Sequence, residues 1–179
     1  NIGTPILSLN IKKNNLLIIE ASSFQLAHSK FIRPDYAILL NISNDHIDWH
    51  GNIRNYINSK FKIFSKQTKN QYSIFNKNLK KYLKKRLASK VIIPKIKNFK
   101  KLKDEINNPY LKSDINDENM MFVLSLSKLL GINEKSLIKS LESFVGLPHR
   151  HEIFLKKGNC IFINDSKATS FQASKFALK

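Results

Sequence analysis

The sequence is poor in cysteine and has no long hydrophobic run. Cys160 is the only cysteine among 179 residues, which excludes an internal disulfide framework and any metal site built from several cysteines. No apolar run reaches the roughly 18 to 20 residues that a membrane-spanning helix needs, and no basic-then-apolar leader opens the chain. We therefore expect a cytoplasmic protein without a membrane segment.

Acidic residues are also scarce, since 13 Asp and Glu stand against 31 Lys and Arg and the formal net charge is +18. Such an excess can indicate a nucleic-acid partner. Only four of the basic residues are Arg, the side chain that nucleic-acid sites usually recruit for its bidentate fork. Residues 77–103 hold twelve Lys or Arg and no acid, which a solvated surface explains. We expect no nucleic-acid partner, and a basic nucleic-acid-binding module remains the alternative from another functional class.

Short apolar runs predict an α/β protein with a mostly parallel sheet flanked by helices. Leu16–Ile19 is a continuous apolar run and Tyr36–Ile42 is a second run that is apolar apart from Asn41, as is typical of strands buried on both faces. A helix capped by Ser22 or Ser23 would connect them as a right-handed βαβ unit. Further strands are predicted at 72–75 and 91–93, and further helices at 52–65, 117–130 and 133–144.

The last part of the sequence has the pattern of a β-hairpin. Apolar runs at 152–155 and 160–163 flank the turn sequence of residues 156–159. Gly146-Leu147-Pro148 interrupts the chain just before them. We therefore place a domain boundary there, between residues 1–147 and 148–179.

Three side chains are candidates for a shared cation. Glu20 and His46 follow two predicted parallel strands, whose carboxyl ends meet at the rim where open α/β sheets bind ligands. Lys60 lies on the apolar stripe of the next helix, four residues after Tyr56 and four before Phe64. Taken alone, Glu20 and His46 have ordinary structural explanations, as a capping carboxylate and a hydrogen-bonded imidazole.

A lysine on an apolar stripe must find an anion, lose its proton or reach water. The neutral amine of Lys60 can also react with carbon dioxide to give a carbamate, which is a carboxylate-like oxygen donor. Such a group suits Mg²⁺, whereas His46 is a softer ligand than Mg²⁺ usually takes. The residues alone leave the identity of the metal open.

A second group consists of Arg150, Asp165 and Lys167. An Arg just after a Pro-containing linker and an Asp-Ser-Lys turn after a strand are suited to phosphate and ribose hydroxyls. Surface salt bridges explain the same residues, and without further information they are the preferred explanation.

Several strings of this sequence resemble the Mur ligases, in order and approximate spacing and over essentially the whole chain. The strings are residues 20–26, 40–48, 56–60, 146–152 and 164–169. Ser-Ser-Phe-Gln-Leu and Asn-Asp-Ser-Lys-Ala-Thr are similar to the members that add D-glutamate to UDP-N-acetylmuramoyl-L-alanine. Ligases for other residues and folylpolyglutamate synthetase carry different strings there.

The resemblance implies a P-loop NTPase-like Mur ligase central domain without its P-loop part, followed by the start of a Rossmann-like C-terminal domain. It implies that Glu20, His46 and carbamylated Lys60 serve Mg²⁺, and that His46 and Lys60 take part in catalysis. It also implies that Asn1, within Asn-Ile-Gly, and Ser22 help to hold the nucleotide-sugar substrate.

The resemblance assigns further residues to ATP and D-glutamate. Asn116, Arg150 and Asp165 would bind ATP, Lys167 would contact the reacting carboxyl or phosphoryl group, and Thr169 would face D-glutamate. Three positions depart from the family pattern: Ile115 stands where His is usual, Ser113-Asp114 replaces a glycine-containing turn, and Ser170 stands where Asn is commoner.

The five glycines form no glycine-rich loop of the kind that cradles phosphates. We therefore expect the chain to be an internal fragment that is inactive alone. We expect the full-length protein to be a monomer. The implied reaction is an ATP-dependent carboxylate–amine ligation in peptidoglycan synthesis that proceeds through an acyl phosphate. The alternatives are another Mur-type ligase, such as folylpolyglutamate synthetase, and the nucleic-acid-binding module.

Overall fold

The computed structural model of the protein describes residues 4–168, apart from the side chain of residue 115. The chain divides into two compact units, Asn1–Ile93 and Pro94–Lys179. In the part described, no helix combines the length and the apolar character that a membrane crossing requires. The domain boundary expected after residue 147 stays a prediction.

A parallel three-stranded sheet organises the first unit. Its strands are β1 (Tyr36–Leu39), β2 (Tyr72–Phe75) and β3 (Lys90–Ile92), in the order β1-β2-β3. The register places Tyr36 opposite Tyr72, and the two rings stack with centroids 5.4 Å apart. The central strand is buried almost throughout, as expected of a parallel sheet covered on both faces. The predicted α/β class is confirmed.

Three helices accompany the sheet: α1 (Ser23–His28), α2 (Ile47–His50) and α3 (Ile53–Phe61). The Ser22 side chain accepts a hydrogen bond from the Gln25 backbone, and the Gln25 side chain accepts one from the Ser22 backbone. This capping box satisfies orphan donors at the start of α1. Single 3₁₀ segments lie at Ile6–Ser8, Lys62–Phe64 and Lys77–Tyr82.

The core of the first unit lies against one face of the sheet. The rings of Phe64 and Phe75 are 5.5 Å apart and both are buried. Ala37, Leu39 and Leu79 complete this buried cluster. Burying a large apolar side chain contributes about 1.5 to 3 kcal/mol, so these residues anchor the sheet on the segment that follows α3.

The prediction of a strand at Leu16–Ile19 is wrong. The segment forms no strand, and its side chains are exposed, Ile18 by 85%. An isolated run cannot form a ladder, because its backbone groups need a neighbouring strand, and β1 pairs only with β2 among the described residues. The predicted βαβ crossover before β1 is therefore not formed. β1 itself ends at Leu39, three residues before the predicted end.

The second unit contains four helices and a hairpin. The helices are α4 (Ile96–Lys103), α5 (Pro109–Lys112), α6 (Asp117–Leu129) and α7 (Glu134–Glu142), with a 3₁₀ turn at Asp114–Asn116. The hairpin pairs β4 (Glu152–Lys157) with β5 (Cys160–Asn164) in antiparallel fashion. Gly131, at φ +70°, follows α6, and the Asn133 side chain caps α7. The predicted helical pair and hairpin are confirmed.

Candidate functional site

An aromatic cluster lies between α1, α2 and α3, and consists of Phe24, Trp49, His50 and Tyr56. The His50 ring stacks on Phe24 at a centroid distance of 5.6 Å and meets Trp49 and Tyr56 edge-on. The imidazole is buried, and its Nε2 atom lies 3.0 Å from the Oγ atom of Ser23. The cluster therefore joins the three helices that carry the predicted site residues.

His46 and Lys60 flank this aromatic cluster. His46 precedes α2 with a left-handed backbone, at φ 53°, and its ring lies 4.8 Å from that of Phe24. The Nζ atom of Lys60 lies 5.1 Å from the centroid of Tyr56. Burial lowers the pKa of His50, and the charges of His46 and Lys60 lower it further. Both predicted residues thus act on the same imidazole.

Lys60 is half-buried on α3, as its position on the apolar stripe predicted. Burial lowers the pKa of the Lys60 ammonium, and the charge of Asp45 partly opposes that effect. A lowered pKa increases the fraction of neutral amine. The neutral amine is the form that reacts with carbon dioxide.

Glu20 is exposed and follows the irregular segment that stands where a strand was predicted. It lines a cavity of about 810 Å³ together with Phe24, whose ring contacts His46. Among residues 4–168, no three His, Cys, Asp or Glu side chains form a group able to hold a metal ion. The convergence of Glu20 with His46 and Lys60 stays a prediction, and a carbamate on Lys60 would add the oxygen donors that such a group needs.

Three residues were assigned to the substrates. Ser22 lies at the start of α1, where its hydroxyl accepts from the Gln25 backbone. Asn1 and Thr169 lie outside the described residues, so their roles also stay predictions.

The second unit has its own cavity of about 520 Å³. It is lined by part of α5, by Ser113 and Asn116, and by most of segment 145–153, including Arg150. The Asn116 side chain donates from Nδ2 to the Tyr110 carbonyl oxygen at 2.7 Å. Asn116 and Arg150 lie 34 positions apart in the sequence, and both are predicted to bind the nucleotide. The structure places both on the wall of one cavity.

Asp165 and Lys167 are tied to the rim of this cavity. The Asp165 Oδ1 atom accepts from the His151 backbone N–H at 3.0 Å. The Lys167 backbone N–H donates to the His149 carbonyl at 3.1 Å. Burial raises the pKa of Tyr110, while the charges of Arg150 and Asp165 act on that pKa in opposite directions. The structure thus gathers the residues predicted for ATP around one tyrosine.

Reasoning from the sequence missed His50, Tyr110 and His151. His151 has a left-handed backbone, at φ 49°, and its Nδ1 atom is buried without a hydrogen-bond partner in the described part of the chain. Buried polar atoms are usually paired, so this cavity-lining imidazole is suited to meet a ligand. The local sequence contains no signal for it, because the burial of this imidazole depends on neighbours that are distant in the chain.

The parallel sheet and its flanking helices place the protein in the α/β class. An arginine on the wall of a cavity is suited to bind a phosphorylated ligand. The chain belongs to the Mur ligase family, because the model of the Mur ligase middle domain matches residues 1–132. The family resemblance is confirmed.

Three relatives, each named UDP-N-acetylmuramoylalanine--D-glutamate ligase, align with the chain. The protein of Pseudothermotoga lettingae is 31% identical over 100% of this chain and 43% of its own length. That of Elusimicrobium minutum is 32% identical over 100% of the chain and 44% of its own length. That of Bacillus cereus is 33% identical over 99% of the chain and 44% of its own length. The chain therefore spans less than half the length of these curated relatives.

Proposed function

We propose that the chain is part of an ATP-dependent ligase that adds D-glutamate to UDP-N-acetylmuramoyl-L-alanine in peptidoglycan synthesis. The observation that carries this proposal is the alignment of relatives of that name over practically the whole chain, at 31 to 33% identity. Two features support it chemically: the half-buried Lys60 and His46, whose charges both act on His50, and the cavity lined by Asn116 and Arg150. We place the protein in the cytoplasm and take the full-length enzyme as a monomer.

The cavity of the second unit fits a nucleotide. Its volume of about 520 Å³ is within the range of small-molecule sites. Arg150 supplies a cation for phosphate, and Asp165 an acceptor for ribose hydroxyls. The unpaired Nδ1 of His151 offers a further hydrogen-bonding group. ATP would supply the phosphoryl group that activates the carboxylate.

Glu20, His46 and Lys60 together would suit Mg²⁺ once Lys60 is carbamylated. Glu20 and the carbamate are hard oxygen donors, and His46 is a third, softer ligand. The lowered pKa of Lys60 favours the amine that forms the carbamate. Bound Mg²⁺ would neutralise charge on phosphoryl oxygens.

The proposed reaction begins when an oxygen of the L-alanine carboxylate attacks the γ-phosphorus of ATP, which forms an acyl phosphate and releases ADP. The amine of D-glutamate then attacks the acyl carbon, and the tetrahedral intermediate expels phosphate. Lys167 would contact the reacting carboxyl or phosphoryl group, Ser22 and Asn1 would hold the nucleotide sugar, and Thr169 would face D-glutamate. These residues act by positioning and by charge stabilisation.

The test is phosphate release by the full-length protein with ATP, Mg²⁺ and UDP-N-acetylmuramoyl-L-alanine. We expect D-glutamate to drive release, and L-glutamate, L-lysine and diaminopimelate to leave it at background. Equal release with another of these amino acids would identify a different ligase of the family and overturn the proposal.

Lys60→Ala should nearly abolish this release, and a short free carboxylate should partly restore it. The matched control is Lys66→Ala, which removes an exposed lysine just beyond α3 and should keep full activity. Full activity of Lys60→Ala would remove the carbamate from the mechanism.

A further inference from the structure

The 3₁₀ turn Asp114–Asn116 is held from outside by a lysine of α4. The Lys103 Nζ atom lies 2.6 Å from an oxygen of Asp114 and 2.6 Å from an oxygen of Asp117. The side chains of Lys103 and Asp117 are only 16% and 6% exposed, whereas that of Asp114 is 95% exposed. One ammonium therefore bridges the carboxylates on either side of Asn116.

The Asn116 side chain is not used as a helix cap. Asn116 stands at the N-cap of α6, where an Asn normally accepts a hydrogen bond from the first turn, yet it makes no such bond. Its amide instead donates to the Tyr110 carbonyl and lines the cavity. Ser113, the N-cap of the 3₁₀ turn that leads into α6, makes no side-chain cap bond either. The start of α6 therefore lacks side-chain cap bonds from both residues.

The lysine bridge replaces those bonds electrostatically. Asp117 is the first residue of α6, where a carboxylate is favoured by the helix dipole. Burial lowers the pKa of Lys103, but its hydrogen bonds to Asp114 and Asp117 outweigh burial, so that the pKa is raised. Lys103 also lowers the pKa of the Asp114 carboxyl. The raised pKa of Lys103 and the lowered pKa of Asp114 keep this ion pair charged near neutral pH, so the bridge persists there.

We propose that Lys103 is a positioning residue for the nucleotide, because it fixes the turn that presents the Asn116 amide to the cavity. The inference rests on the proposed function, in which ATP occupies that cavity. With one N–H of Asn116 committed to Tyr110, the second N–H and the amide oxygen match the adjacent acceptor and donor on a purine edge. Without the lysine bridge, the Asn116 amide would lose its alignment with the purine edge. The phosphoryl-transfer step would be unaffected.

The principal test is Lys103→Met combined with Asp117→Leu in the full-length enzyme, since removing both buried charges leaves neither unpaired. We expect KM for ATP to rise about tenfold, the equivalent of one lost hydrogen bond. We expect kcat and KM for the other two substrates to change less than about twofold. Lys101→Met, an exposed lysine of the same helix, should change none of these values. An unchanged KM for ATP in the double variant would overturn the inference.

Two further variants separate positioning from simple stabilisation. Lys103→Arg keeps a cation able to bridge both carboxylates, and should keep KM for ATP within about threefold. In an Asn116→Ala background, the Lys103→Met and Asp117→Leu pair should add less than about twofold to KM, because the group it positions is gone. A full additional tenfold rise would contradict the proposal.

If circular dichroism shows that the double variant does not fold, Asp114→Asn provides the readout, since this carboxylate is exposed and forms one arm of the bridge. It should raise KM for ATP about two- to threefold, as expected for one charged contact at the surface. Wild-type KM would overturn the inference. Failure of the proposed function gives a different result, because the unaltered protein would then release no phosphate in response to D-glutamate. That result would overturn both the proposed function and this inference.

Discussion

The Nε2 atom of His50 lies 3.0 Å from the Oγ atom of Ser23, and both side chains are buried. This hydrogen bond joins the end of α2 to the start of α1. Ser23 follows Ser22, the proposed substrate contact, and His50 lies one helical turn after His46. The pair therefore links the two helices whose N-cap residues, Ser22 and His46, are proposed site residues.

Ser23→Ala should destabilise the full-length protein. The substitution leaves a buried imidazole nitrogen without its partner, which costs about 1 to 3 kcal/mol. Urea unfolding followed by circular dichroism measures the change. Ser65→Ala is the matched control, because Ser65 is exposed, and it should stay within about 0.5 kcal/mol of the unaltered protein. Equal stability of the two variants would show that the buried bond contributes nothing.

Acidification should weaken the fold through His50. Its pKa is lowered in the folded state by burial and by the charges of His46 and Lys60, so the unfolded state binds more protons as pH falls through the ordinary pKa of 6.5. Stability should therefore fall as pH falls from about 7.5 to 5.5. The loss should be smaller in His50→Phe, which cannot titrate. An identical pH dependence of the two unfolding free energies would contradict this assignment.

Carbamylation of Lys60 should be visible by ¹³C NMR in protein incubated with ¹³C-bicarbonate. A carbamate signal should be present in the unaltered protein and absent in Lys60→Ala. Asp45→Asn should increase it at subsaturating bicarbonate, because the Asp45 charge raises the pKa of Lys60 and its removal frees more neutral amine. A signal that survives Lys60→Ala would place the modification elsewhere.

Arg150→Ala should weaken binding of a non-hydrolysable ATP analogue to the full-length protein. Loss of a charge-assisted hydrogen bond costs about 1.5 to 3 kcal/mol, which corresponds to about a 10- to 150-fold higher Kd. Isothermal titration calorimetry measures the constant. Arg86→Ala removes an exposed arginine outside the cavity and should leave Kd unchanged. Equal affinities of both variants would remove Arg150 from the nucleotide site.

Phe75→Ala should be the more severe of two matched truncations. Phe75 is fully buried against Phe64, and a Phe→Ala change in a core costs about 3 to 5 kcal/mol. Phe31 is largely exposed, so Phe31→Ala should change stability by less than about 0.5 kcal/mol. Thermal unfolding midpoints compare the two. A similar loss in both would mean that the Phe64–Phe75 contact does not anchor the sheet.

Much of the local structure was predictable from neighbouring residues. Ser22 with Gln25 predicts the start of α1, Asn133 caps α7, and Gly131 and Gly158 take the left-handed backbone that glycine tolerates. The motifs that resemble those of the Mur ligases, in the same order and with similar spacing, likewise identified the family. These features depend on interactions that span a few positions, so a single sequence contains all the groups involved.

The predictions that failed, or were never made, concern partners distant in the chain. The apolar run at Leu16–Ile19 favours burial, but a strand forms only where another strand pairs with it, and none does so in the described residues. The burial of His50 likewise depends on α1, which lies more than twenty residues earlier. Hydrophobic periodicity indicates which face of a helix or strand a residue occupies. It does not indicate which other segment packs against that face.

The sequence by itself determined the α/β class, the caps and turns, the hairpin and the half-buried position of Lys60, because periodicity and hydrogen-bonding capacity are local properties. Only the tertiary structure decided that Asn116 and Arg150 line one cavity, that His46 and Lys60 flank one imidazole, and that Lys103 bridges Asp114 and Asp117. Electrostatic and hydrogen-bond energies depend on distances through space, and folding sets those distances.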